Sequence, residues 1–205
     1  MGERNGGGGY VIAVGLAVLA ALAVGHRAKD PDESYRDLGG PRALWNIPDG
    51  AELPVSPPER LEIPAVGVDA PVMRLGKKDD GSVQVPPFDK SGHAGWYRRG
   101  PAPGSRGSAV VLGHYDDLDG AAVFYDLHKI KPGARIRVLR HDRSEAVFRV
   151  DAVERIRKSE FPRDRVYGDV RYAGLRLITC GGAYDEDEHS YRDNVIVYAH
   201  LVGGR

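Results

Sequence analysis

From Arg60 onward the chain is patterned mostly with a period of two. Ala134 to Leu139 alternates, with Arg135 and Arg137 on one face and Ile136 and Val138 on the other. Glu145 to Ala152 repeats the device, aligning Ala146, Phe148, Val150 and Ala152 on one face. The polar run His141, Asp142, Arg143, Ser144 between them predicts a hairpin turn. Three stretches are nearly continuous in apolar residues: Ser108 to Leu112, Leu175 to Thr179, and Val195 to Val202. Such runs predict central strands covered on both faces. Short helical turns are expected at Ala121 to His128 and after Pro162, with the proline at the first helical position. No internal repeat is apparent. The prediction is one mostly-β domain over residues 60–205, a barrel or a sandwich.

The N-terminal third reads differently. Every residue from Tyr10 to Val24 is apolar or glycine, and Gly6 to Gly9 extend the stretch toward the ~20 residues that span a bilayer. A membrane anchor over residues 1–29 is the favoured reading. A cleaved signal peptide is the rival, because Ala21, Leu22, Ala23 has the small-x-small form of a cleavage site. A buried soluble helix is the third possibility. Either of the first two places the β-domain outside the cytoplasm. Residues 30–59 read as a Pro-rich linker: prolines 31, 41, 48, 54, 57 and 58 fix φ and favour extended chain. Leu44, Trp45 and Ile47 interrupt it and could dock part of it onto the domain.

Composition narrows the function. Lys plus Arg and Asp plus Glu are 29 each in 205 residues, so the chain lacks the basic field of a nucleic-acid binder. Hydrophobic residues make up 41 %, which is enough for a real core. Cys180 is the only cysteine, so neither an intramolecular disulfide nor a Cys-based zinc site can form. His93, His114 and His189 are too scattered to argue a metal hydrolase. The acidic runs at 116–119 and 185–188 lack EF-hand spacing and read as solvated loops rather than calcium sites. No cofactor is implied.

The candidate chemistry lies at the ends of the central strands. Cys180 follows Leu175 to Thr179, His114 follows Ser108 to Leu112 after Gly113, and Arg192 precedes the strand starting near Asn194. An antiparallel return puts Cys180 and Arg192 at one sheet edge, and a parallel neighbour would bring His114 there too. A thiolate is a nucleophile, a histidine can take and return its proton, and an arginine offers forked donors to a developing oxyanion. Each residue also has a bland reading: a buried small hydrophobe, a structural histidine, one surface arginine among 22. Their coincidence of position makes the case.

These residues resemble a known family. Leu177, Ile178, Thr179, Cys180, with Gly113 and His114 upstream and Tyr191 to Asn194 downstream, are similar to the signature of the sortases. Sortases are membrane-anchored cysteine transpeptidases of Gram-positive bacteria, built on a closed eight-stranded β-barrel. The Thr-Cys-Gly-Gly segment and the Asp-Asn pair after the arginine look most like the class F sortases of actinobacteria. The resemblance implies Cys180 as nucleophile, His114 as general acid/base and Arg192 as oxyanion and substrate-orienting residue. It further implies cleavage of a Leu-Pro-x-Thr-Gly-type sorting signal between Thr and Gly, with transfer of the acyl group to an amine of a cell-wall precursor. A single-pass membrane protein with a monomeric extracellular catalytic domain follows from the same likeness. One departure is Arg176, which stands where the family's Thr-Leu-x-Thr-Cys pattern has its first Thr.

Papain-like and cell-wall-hydrolase enzymes place cysteine before histidine, at a helix start, and the Ser-His-Gly-Cys signature of L,D-transpeptidases is absent. The non-enzymatic alternative is a membrane-anchored β-domain that binds cell-wall peptides without turning them over.

Overall fold

The computed structural model describes residues 52–205. The expected anchor and most of the linker, including Leu44, Trp45 and Ile47, lie outside the described residues. Among the described residues no helix is long and apolar enough to cross a membrane.

Eight strands close into a barrel. In chain order they are β1 (Pro58–Ile63), β2 (Val68–Leu75), β3 (Ala94–Tyr97), β4 (Gly107–Leu112), β7 (Arg135–Arg140), β8 (Glu145–Arg157), β9 (Ala173–Asp185) and β10 (Ser190–Gly204). A small separate ribbon, β5 (Asp116–Asp117) with β6 (Gly120–Ala121), lies between β4 and β7. Around the barrel the order is β1-β2-β3-β4-β9-β10-β8-β7, and β7 pairs with β1 to close it. Closure removes every free sheet edge. All pairs are antiparallel except β2 with β3 and β4 with β9.

The barrel interior is filled by inward residues of alternating strands. Ile136 and Val138 of β7, Phe148 of β8, Leu175 and Leu177 of β9 and Val197 of β10 are all buried there. Phe124, Leu127 and Ile130, in and around the 3-10 turn Tyr125–Lys129, plug it. The continuous apolar runs have a separate cause. Val110, Leu112, Ile178, Ile196 and Tyr198 point outward but are covered, with Val166 of the short helix α1 (Arg163–Tyr167) packed among them.

The hairpin at 141–144 and the parallel β4–β9 pair stand as expected. Three expectations are corrected. The one-face alignment in β8 stops at Val150, because Asp151 is an extra residue at a bulge: Val150 pairs with Ala199 and Ala152 with Tyr198. Beyond it Val153 takes the inward place and Ala152 the outward one. Pro162 caps α1 from outside rather than occupying its first turn. Residues 53–59 have a linker's composition but lie on the barrel. The Leu53 N–H donates to the Gly104 carbonyl (2.8 Å), the Ser56 hydroxyl accepts from the Asp142 N–H (3.1 Å), and the buried Arg140 guanidinium donates to the Pro54 carbonyl.

Candidate active site

Cys180 does not end its strand. β9 runs on to Asp185 and β10 begins at Ser190, so Cys180 and Arg192 both lie inside a paired ladder. Asn194 is the register partner of Cys180. The ladder survives the two glycines through a bulge in which Gly182 and Ala183 stand opposite Arg192. Gly182 adopts φ +79°, and a Cβ there would lie 2.3 Å from the Asp193 carboxylate, so this turn of the strand requires glycine.

His114 arrives from β4. Leu112 pairs with Ile178 and the Gly113 N–H donates to the Ile178 carbonyl (3.1 Å). Two residues on along both parallel strands, His114 and Cys180 stand at the same level of the barrel's outer face. A Cβ at Gly113 would lie 2.5 Å from the Phe124 ring, so a larger residue would push the histidine-bearing segment off the barrel. The ring itself is held. Its Nε2 is 2.6 Å from the Pro86 carbonyl, which can only accept, so the hydrogen sits on Nε2 and Nδ1 is left to exchange a proton. Phe88 stacks on the imidazole at 4.8 Å.

Arg192 is placed differently from the other two. The pleat sets it on the same face as Asn194 and Cys180, but its Nε donates to the Asp185 carboxylate (3.0 Å) and its side chain is 65 % exposed. In this structure the guanidinium is therefore parked beside the site. The backbone N–H of Glu188, then the same arginine and the N–H of Asp187, hold the Asp185 carboxyl below its usual range. These hydrogen bonds shape the turn that carries the acidic run at 185–188. Among the described residues no three His, Cys, Asp or Glu side chains converge as metal ligands.

The sulfur is buried and its surroundings are mixed. Burial pushes the Cys180 thiol up, the charge of the Lys158 ammonium pulls the other way, and the Asp116 carboxylate adds to the upward push. Tyr191 donates its hydroxyl to Asp116 and packs edge-on against Tyr115 at 5.1 Å. The Asn194 Oδ1 is buried without a partner among the described residues. Sequence reasoning missed Lys158, Asp116 and Tyr191. Asp116 and Tyr191 could have been suspected, as near neighbours of His114 and Arg192 in the chain. Lys158 could not, because only strand register brings it close.

A groove of about 940 Å³ opens on the outer face. Its floor is Val110, Leu112 and Ile178, and Phe161, Tyr167 and Tyr97 stand among its walls. Burial pushes the Tyr167 hydroxyl up to about 12, so this wall stays uncharged at working pH. The groove is mixed in character, with an apolar floor and charged residues such as Lys77, Arg99, Arg163 and Asp164 on its rim, and Leu112 and Ile178 of its floor each lie two residues before His114 and Cys180.

Arg176 neither lines the groove nor approaches the sulfur. It is 1 % exposed, with its guanidinium 5.1 Å from the Tyr198 ring and donating to the Arg165 and Leu175 carbonyls, both at 3.2 Å. Arg176→Ala is expected to cost about 2–4 kcal/mol, through lost packing and unpaired carbonyls, in urea unfolding. The protein that remains folded should turn over within a few-fold of the parent. A stable but inactive variant would refute this structural role.

No curated protein matches the chain. Solved structures do. SrtA sortase from Actinomyces oris is 20 % identical with a TM-score of 0.56, and the match covers 75 % of this chain and 87 % of that one. Sortase C-1 from Streptococcus pneumoniae is 23 % identical with a TM-score of 0.55, covering 71 % and 66 %. Sortase C-1 from Actinomyces oris is 18 % identical with a TM-score of 0.54, covering 70 % and 73 %. These likenesses concern the barrel. The sortase-domain family model matches residues 61–202, which takes in the groove, the histidine, the cysteine and the arginine, and the chain therefore belongs to the sortase family of transpeptidases.

Proposed function

We propose that this sortase cleaves a Leu-Pro-x-Thr-Gly-type signal between Thr and Gly and passes the acyl group to an amine of a cell-wall precursor. The observation that supports this reading is the parallel register of β4 and β9: Leu112 pairs with Ile178, each two residues before His114 and Cys180, and both form the floor of the groove. The Cys180 thiol gives its proton to Nδ1 of His114, and the sulfur adds to the Thr carbonyl carbon. The arginine at 192 leaves Asp185 and donates to the carbonyl oxygen as it gains charge. The imidazolium then protonates the departing glycine amine, the C–N bond breaks, and a thioester remains. An incoming amine adds to the thioester, loses a proton to His114 and expels the sulfur, forming a new amide. Water can take the amine's place, so slow hydrolysis accompanies transfer.

The Thr-Cys-Gly-Gly segment and the Asp-Asn pair support a class F assignment within the family. The apolar stretch from Tyr10 to Val24 supports a single-pass membrane anchor with the barrel outside the cell. Incubating the full-length chain in detergent with Leu-Pro-x-Thr-Gly peptides and an amine tests the reaction. The product expected by mass is the peptide up to Thr joined to the amine, and binding without any cleaved product would refute the reading. Removal of residues 1–30 tests the anchor. The shortened chain is expected to be soluble without detergent and still active, because all the barrel strands, including those that lead to or carry His114, Cys180 and Arg192, begin at Pro58 or later. Loss of folding on this truncation would assign the apolar segment to the core.

A further inference from the structure

Arg192 and Lys158 stand in different relations to Cys180. Arg192 is turned to Asp185 and lies largely in solvent. Lys158 follows directly after β8 and is the first residue of the 3-10 turn Lys158–Glu160. Arg157 pairs with Asp193 and Cys180 pairs with Asn194, so Lys158 and Cys180 flank the same short piece of β10 from opposite sides. The pleat gives Lys158 the same outward face as Cys180. Its Nζ donates to the Ser190 hydroxyl at 2.6 Å, and its charge draws the Cys180 thiol toward the thiolate. An ammonium carries three donors on a flexible stem, so it can keep Ser190 and turn a further hydrogen to the sulfur.

We propose that Lys158 is a further catalytic residue of this site, its ammonium holding the Cys180 sulfur as thiolate while Ser190 fixes the ammonium in place. The proposal rests on Cys180 being the nucleophile. In the first half-reaction the thiol proton goes to His114, and Lys158 keeps its own hydrogens and supplies only charge. Once the thioester forms, the sulfur is neutral and the ammonium remains with Ser190. When the amine expels the sulfur, the same ammonium receives the returning negative charge, which makes the thiolate a better leaving group. The arginine at 192 is then needed for the carbonyl oxygen and not for the sulfur, which agrees with its place beside Asp185.

The other groups facing the sulfur do not duplicate this role. Asp116, after β4, carries the opposite charge and works against the thiolate. Tyr191 of β10 donates to Asp116 and is pushed well above the usual phenol range, so it stays neutral. His114 of β4 gives its Nε2–H to Pro86 and serves as the proton acceptor. Asn194 of β10 is uncharged.

The test is the rate of Cys180 alkylation by iodoacetamide as a function of pH, on the full-length chain, where Cys180 is the only thiol. Lys158→Gln is expected to slow alkylation at pH 7 about tenfold, the equivalent of one pKa unit on the sulfur, and to converge with the parent at alkaline pH. Lys158→Arg should recover most of the rate. Ser190→Ala, which removes the anchor without touching the sulfur, should move the profile in the same direction by less. A folded Lys158→Gln variant whose profile superimposes on the parent's overturns the proposal, as does an arginine variant no better than glutamine. Where the glutamine variant lacks the parent's thermal transition, Ser190→Ala decides, and an unshifted profile there overturns it equally. Alkylation needs no peptide, so the two readings fail separately. A parent that alkylates as expected but never cleaves peptide sinks the proposed reaction alone. An active parent with an unmoved Lys158→Gln profile sinks the lysine alone.

Discussion

Cys180→Ala is expected to abolish both cleavage and transfer, with no residual acyl-enzyme detectable by mass. The chain has one thiol, and no other side chain can form the thioester. Folding should survive. The residue is 6 % exposed and faces the covered outer surface, so the change removes one buried sulfur and costs about 1 kcal/mol. Peptide affinity should persist, since Val110, Leu112 and Ile178 are untouched. Substantial turnover by a folded Cys180→Ala protein would refute the covalent mechanism.

Arg192→Ala is expected to lower kcat by about 10²–10³ with a smaller change in KM, the signature of a donor engaged mainly in the transition state. The resting geometry makes this a demanding prediction, because the guanidinium lies against Asp185 at 3.0 Å and must leave it for the carbonyl oxygen. It also separates rate from stability. An arginine with a 65 % exposed side chain contributes little to folding, so the unfolding midpoint should hardly move. Arg192→Lys keeps the charge but loses the planar fork, and should recover only part of the rate. A near-neutral Arg192→Ala would assign the oxyanion to other donors. Arg176 answers a different question. Buried against Tyr198, it reports on the fold, and its loss should appear as an unfolding shift and not as a turnover defect.

The places where structure departs from sequence pattern share one cause. Periodicity in Glu145 to Ala152 suggests an unbroken face, yet the bulge at Asp151 reverses it, with the Asp151 carboxylate 2.6 Å from the His200 ring. Pro54 and Pro57 suggest free linker, yet their carbonyls accept from Arg140 and from the His141 N–H across the barrel. Gly181 and Gly182 suggest a strand end, yet the ladder continues through a bulge that glycine makes possible. In each case a partner distant in sequence decides, and a local pattern carries no information about it.

Much was nonetheless determined by the sequence alone. The period of two and the hairpin at 141–144 specify β-structure, because side-chain alternation is a property of the strand itself. The single cysteine, with glycines and a threonine around it, names the candidate nucleophile, and the motifs at 113–114 and 191–194 single out its partners. Tertiary structure decided the rest. Closure of the barrel, the parallel seating of β4 against β9, the parking of Arg192 on Asp185 and the approach of Lys158 across β10 all depend on register between strands. Register is set by long-range packing and by bulges, where one extra residue turns every later side chain to the opposite face.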